Sequence, residues 1–131
     1  MALQLSDDCR NAILNAIETA IGLAPVLEIR SGAKPASCAA GDQGTVLATL
    51  NLPSDWMGDA AGGVKDLAGV WQDASADAGG TAGHFRIKQG ATCHMQGDVA
   101  QSGADLNVSN TSFAAGQPFS VTSFQLQAAN G

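Results

Sequence analysis

The stretch from residue 82 to residue 99 constrains the fold more than any other. Gly83, Phe85 and Ile87 alternate with His84, Arg86 and Lys88. After a short break, Cys93, Met95, Gly97 and Val99 alternate with His94, Gln96 and Asp98. A period of two is the signature of strands with one face buried, so this stretch predicts a β-hairpin. Both apolar sets fall on odd numbers. If they share one face, antiparallel partners must have numbers that add to an even total. A three-residue loop at Gln89-Gly90-Ala91 meets that condition. It sets Ile87 opposite Cys93, Phe85 opposite Met95, His84 opposite Gln96, and Arg86 opposite His94. A two-residue loop would set Phe85 against His94 and break the apolar face, which excludes it on parity.

One helix is expected before the strands, over residues 6–22. Ser6 is a good N-cap, and Asp7 and Asp8 suit the positive end of the helix dipole. Cys9, Ala12, Ile13, Ala16, Ile17, Ala20 and Ile21 recur at helical spacing as the expected buried stripe. Asn11, Asn15, Glu18 and Thr19 are left for solvent. Gly22 and Pro25 end the helix.

The rest reads as strands and loops. Residues 26–30 and 45–52 are expected strands, the second with Val46, Ala48, Leu50 and Leu52 on one face and Leu47 on the other. Both faces of that strand should therefore be partly covered. Residues 54–67 read as a long Gly/Ala-rich loop carrying Trp56 and Met57, and residues 67–74 as a strand through Trp71. Two more strands are expected over 104–108 and 118–126. In the latter the apolar parity switches between Phe119/Val121 and Phe124/Leu126, which predicts a bulge or sheet crossing near Ser123. The fold class is mainly β, an antiparallel sandwich or barrel-like domain with one N-terminal amphipathic helix. Residues 1–5 form an N-terminal arm and residues 6–131 a single domain.

Composition narrows the function classes. Charged residues make up 14% of the 131 residues, where about a quarter is usual. Small uncharged residues take their place, which suits packing against other subunits. The net charge is −6 and no Lys or Arg cluster appears along the chain, so direct nucleic-acid binding is not expected. Three cysteines, Cys9, Cys38 and Cys93, argue against a disulfide framework and for a reducing cytoplasm, with one bridge and one spare thiol as the alternative. The start lacks the basic and apolar regions of a secretory leader. No apolar run is long enough to span a bilayer, so no membrane partner is expected. The sequons at Asn107 and Asn110 would matter only in a secretory pathway.

No constellation carries obvious chemistry. His84, Cys93 and His94 crowd the hairpin, but alternation sends Cys93 and His94 to opposite faces, so they cannot chelate one metal together. The expected arrangement is two His on a polar face and one Cys in the core. No Gly-x-Ser-x-Gly motif appears, and the Asp residues of 55–77 single out no catalytic pair. Gly41-Asp42-Gln43-Gly44 and Gly62-Gly63 lack the Lys-Ser/Thr and helix of a phosphate loop. The expectation is no enzyme, no catalytic residue, no metal and no cofactor. Trp56, Met57 and Trp71 read first as core. Trp56 with Met57 on a Gly-rich loop also makes an interface candidate, as do Leu3 and Leu5 of the arm.

Four segments carry a family resemblance: LSDDCRNAILNAIETAIG, LPSDWM, GTAGHFRI with TCHMQG, and NTSFAAGQPFSVTSFQL. Together they resemble a family of small virion structural proteins of tailed bacteriophages and prophages. The resemblance spans almost the whole chain and brings no catalytic residues. It implies a particle component, assembled in the host cytoplasm and located in the virion. A capsid decoration (cement) protein is the first expectation, bound to the major capsid protein and homo-oligomeric, with a trimer favoured. A tail or tail-tip protein is the alternative. A receptor- or carbohydrate-binding module is a further one and would need an exposed Trp56 or Trp71.

Overall fold

The computed structural model describes residues 3–128. The expected mainly-β fold with one N-terminal helix is what forms, and its sheet curls into a half-barrel. The helix α1 (Asp7–Ile21) leads into β1 (Val26–Ser31), β2 (Val46–Asn51), β3 (Val64–Asp66) and β4 (Gln72–Asp73). They are followed by β5 (Gly80–Gln89), β6 (Thr92–Ala100), β7 (Leu106–Val108), β8 (Ser112–Phe113) and β9 (Phe119–Gln127). The strand order is β2-β1-β5-β6-β7-β9-β3, with β4 pairing on β9 and β8 on β5. All pairs are antiparallel except β6 with β7.

The hairpin forms, but with the loop that parity excludes. Gln89 pairs with Thr92 across a two-residue turn, Gly90-Ala91, and Lys88 pairs with Cys93. A bulge then absorbs His94, so that Ile87 meets Met95, Phe85 meets Gly97, and His84 meets Asp98. One extra residue in one strand reverses the parity at the bulge. The apolar face is restored beyond it, while Cys93 is turned to the face of Lys88. The expected bulge in β9 is also present: Asn107 pairs with Ser123 but Val108 with Val121, leaving Thr122 as the extra residue.

The core lies inside the curl. Leu27, Ile29, Leu47, Ala48, Leu50 and Ile87 are fully buried there, and Leu47 and Ala48 bear out a β2 covered on both faces. A run of rings crosses it: Trp56 to Trp71 at 6.0 Å, Trp71 to Phe124 at 5.4 Å, and Phe124 edge-on to Phe85 at 5.7 Å. Trp56 and Met57 are therefore core, corrected from interface candidates, because the curl closes over the loop that carries them. The Trp56 indole N–H donates to the Gly22 carbonyl at 3.0 Å, which ties that loop to the end of α1. Two segments differ from the sequence reading. Residues 54–67 contain β3, and residues 67–74 are strand only at β4. Strands of two or three residues carry too few side chains for a period of two to register.

Helix α1 has the expected ends and keeps Ile17 and Ile21 inside, but it is turned about its axis so that the rest of the expected stripe faces out. Ser6 Oγ accepts from the Cys9 amide, and Gly22 N–H closes on the Glu18 carbonyl. The inward residues are Leu14 and Ile21, with Ile17 partly buried. Cys9, Ala12, Ile13, Ala16 and Ala20, expected inside, are exposed. Asn11, Asn15 and Glu18, expected outside, grip the segment 58–65. Asn11 Oδ1 accepts from the Gly63 amide at 2.9 Å, and Asn15 Oδ1 accepts from the Ala60 amide at 3.1 Å. Lys65, 1% exposed, donates to Asn15 Oδ1 and the Gly58 carbonyl, both at 2.7 Å, and pairs with Glu18 at 2.8 Å. The irregular 58–65 backbone needs donors and acceptors from outside itself. Meeting that need with a polar helix face outweighs burying a few alanines.

A candidate site: a cationic sheet face beneath a disulfide-bound strap

Strands β1 and β5 have a second face, away from the ring cluster. Directly paired residues share a face, and Glu28 pairs with Arg86 while Arg30 pairs with His84. Lys88 lies two residues along from Arg86. Glu28, Arg30, His84, Arg86 and Lys88 thus form one polar patch. Arg30, His84, Arg86 and Lys88 of this patch are nevertheless all buried.

What buries them is the 32–45 segment joining β1 to β2, a strap without helix or strand. It has few backbone bonds of its own, such as Ala40 N–H to the Ser37 carbonyl. Its carbonyls are met instead by side chains from the sheet. Arg86 donates to Ser37 O at 2.9 Å and Ala40 O at 3.0 Å, and Gln96 donates to Pro35 O at 2.8 Å. His84 Nδ1 lies 2.9 Å from the Gly32 carbonyl. Gly83 allows that approach, since a Cβ there would strike the Gly32 backbone.

One strap carboxylate collects the charge. Asp42 meets Arg86 at 2.6 Å, Lys88 at 2.7 Å and Arg30 at 3.3 Å. Glu28, from β1 itself, meets Arg30 at 2.9 Å and Lys88 at 3.0 Å. Hydrogen bonds from Lys88 and Arg86 hold the Asp42 carboxyl at about 2, below its ordinary 3.8.

A disulfide between Cys38 and Cys93 fixes the strap to β6, with Cα atoms 5.2 Å apart. This corrects both the expectation of unbridged thiols and the placing of Cys93 in the core. The physical reason is the His94 bulge, which carries Cys93 to the strap face. Cys9 is free and exposed. Beside the disulfide opens a cleft of about 450 Å³, lined by Cys38, Ala40, Asp42, Arg86, Thr92 and Cys93 among others.

The other sequence candidates stand apart from this site. Leu3 is 70% exposed, and Leu5 is half-buried at the start of α1. His94 is exposed, while His84 is buried, against the expectation of two His on a wet face. Among the described residues no three His, Cys, Asp or Glu side chains group to hold a metal. A separate polar groove of about 400 Å³ is lined by Asp66, Asp105, Asn107, Ser123, Gln125 and Gln127. Trp56 and Trp71 are 0% and 2% exposed, so neither offers a ring for a sugar to stack on. No helix is long and apolar enough to cross a membrane among the described residues. Sequence reasoning had one usable signal for the cationic face, the basic residues at every second position of 84–88. Their burial depended on a strap whose course no local pattern reveals.

Comparison with protein-family models, curated proteins and solved structures gave no match.

Proposed function

We propose that this chain is a structural component of a tailed-bacteriophage particle, a capsid decoration (cement) protein that stabilises the head. The observation carrying the reading is the outer face of α1. Cys9, Ile13, Ala16 and Ala20 follow one another at intervals of four, three and four residues, the spacing of a helix–helix seam. All point away from the chain's own core; Ile13 is 47% exposed, and Leu23, just past the helix end, is 74% exposed. A small, mainly-β domain that leaves this stripe of its only described helix facing outward presents an uncharged surface to neighbours. That surface supports self-association, with a trimer favoured, and Leu3 of the arm adds an exposed apolar anchor for contact with the major capsid protein. The resemblance to small virion proteins supports the same reading. Assembly in the host cytoplasm would find Cys38 and Cys93 as thiols, and the released virion would hold them as a disulfide.

Electron microscopy of purified particles tests the reading. Density for this chain repeated across the capsid surface is the expected result. Density confined to the tail or one vertex would replace it with the tail assignment, and absence from the particle would end both. In solution, Ile13→Asp should shift the sedimentation coefficient of the pure protein to that of a monomer.

A further inference from the structure

We propose that the strap is a redox-latched lid over an oxyanion site, and that the ligand is of the phosphate class. The site is the face formed by Arg30, His84, Arg86 and Lys88, and Asp42 occupies it as an internal surrogate when the lid is closed.

The two carboxylates on this face differ in origin. Glu28 belongs to β1 and stays with the sheet. Asp42 is delivered by the strap, and its two oxygens take all three cations. With the strap lifted, Arg30, Arg86 and Lys88 face Glu28 alone, which leaves a net charge of +2. The guanidinium of Arg86 then loses Asp42, Ser37 O and Ala40 O and keeps only Gln96 Oε1. Several forked N–H donors and a double positive charge match a phosphate dianion.

His84 gives the selectivity. In a neutral imidazole whose Nδ1–H meets the carbonyl of Gly32, the residue that directly follows β1, Nε2 is an acceptor. Nε2 is buried without a hydrogen-bond partner among the described residues. A hydrogen phosphate ion has one O–H to donate, and a sulfate ion has none. The imidazole adjoins Arg30 across β1 and β5 and lies two residues from Arg86, on the same face. The cleft beside Cys38–Cys93 already reaches Arg86, so the way in borders the latch.

Opening is a thiol–disulfide exchange. A dithiol reductant attacks one sulfur of Cys38–Cys93, the S–S bond breaks, and the mixed disulfide closes to a cyclic disulfide. Two electrons and two protons pass to Cys38 and Cys93, which become thiols. The strap is then held by hydrogen bonds and ion pairs alone, most of them from side chains.

The experiment compares oxidised protein, protein reduced with dithiothreitol, and Cys38→Ser without reductant. Near-ultraviolet circular dichroism of the two tryptophans checks that each stays folded. Hydrogen exchange of residues 33–45 reads the lid, and calorimetric titration with inorganic phosphate, then sulfate, reads the site. The expected result is faster exchange in the strap and phosphate affinity raised on the order of tenfold on reduction, within the usual range of coupling between sites. Sulfate should bind more weakly than phosphate, and His84→Ala should remove that preference. Asp42→Asn in the oxidised protein should raise phosphate affinity too, which keeps the test open if Cys38→Ser does not fold. A reduced, folded protein whose strap stays protected would overturn the latch. A released strap with unchanged phosphate affinity would overturn the site.

Discussion

Two segments without strands cover this sheet, and they are held in opposite ways. Helix α1 is complete in itself: its backbone bonds close within the helix, Ser6 caps one end and Gly22 the other. It spends its polar side chains on its neighbour, the 58–65 segment. The 32–45 strap satisfies little of its own backbone and depends on the sheet for the rest. Arg86, Gln96 and Arg30 supply donors to its carbonyls, and Cys38–Cys93 supplies a covalent tie. One cover gives hydrogen-bonding groups and the other takes them. The helix should therefore outlast the loss of any single contact, whereas the strap should fail locally.

The contrast breaks most sharply at Arg86. Arg86→Ala removes a 2%-exposed guanidinium and leaves two strap carbonyls unmet, while Asp42 keeps Lys88 and Arg30. A loss of about 4 kcal/mol is expected, from two buried carbonyls left without donors. Hydrogen exchange should locate the first opening in residues 33–45, with α1 still protected. The matching change on the helix side is Lys65→Ala, which strands Glu18 and the Gly58 carbonyl while Asn15 keeps the Ala60 amide. Urea denaturation should show a loss of about 3 kcal/mol. Here the 58–65 amides should open while the helix keeps its circular dichroism. If α1 melts first instead, the helix is not self-sufficient.

A milder probe is Ser6→Ala, expected to cost about 1 kcal/mol as an N-cap loss. Its effect should be confined to the first turn of α1 and leave the strap unchanged, as amide exchange would show. Acid probes the strap alone. Asp42 titrates lower in the folded chain than its ordinary 3.8, at about 2. A depressed carboxyl contributes stability that is full above the unfolded value and is lost as pH falls through the folded one. Strap protection should therefore decline between about pH 4 and pH 2. Asp42→Asn should flatten that decline without touching α1.

Much of the local structure was legible in the sequence. The ends of α1, the strand alternation of residues 82–88, and the bulge in β9 each follow from a few adjacent residues. The hairpin loop was misread because a bulge leaves no mark on the pattern it interrupts. His94 could sit in either register, and only the neighbouring strands and the strap decide which. The candidate site was least legible, because Asp42 and Arg86 lie 44 residues apart in sequence. Basic residues at alternate positions read as a wet face until a distant segment covers them.

Sequence by itself determined that this chain is mainly β with one capped helix, because turns, caps and strand periods are set by short-range sterics and hydrogen bonding. Tertiary structure decided which side of the helix faces inward, which face receives Cys93, and where the charges are buried. Those outcomes depend on segments far apart in the chain satisfying one another's backbone, and no local pattern records that need. The sheet curl brought them together, and the polar demands of 58–65 and 32–45 then outweighed the apolar stripe and the wet face that local spacing predicts.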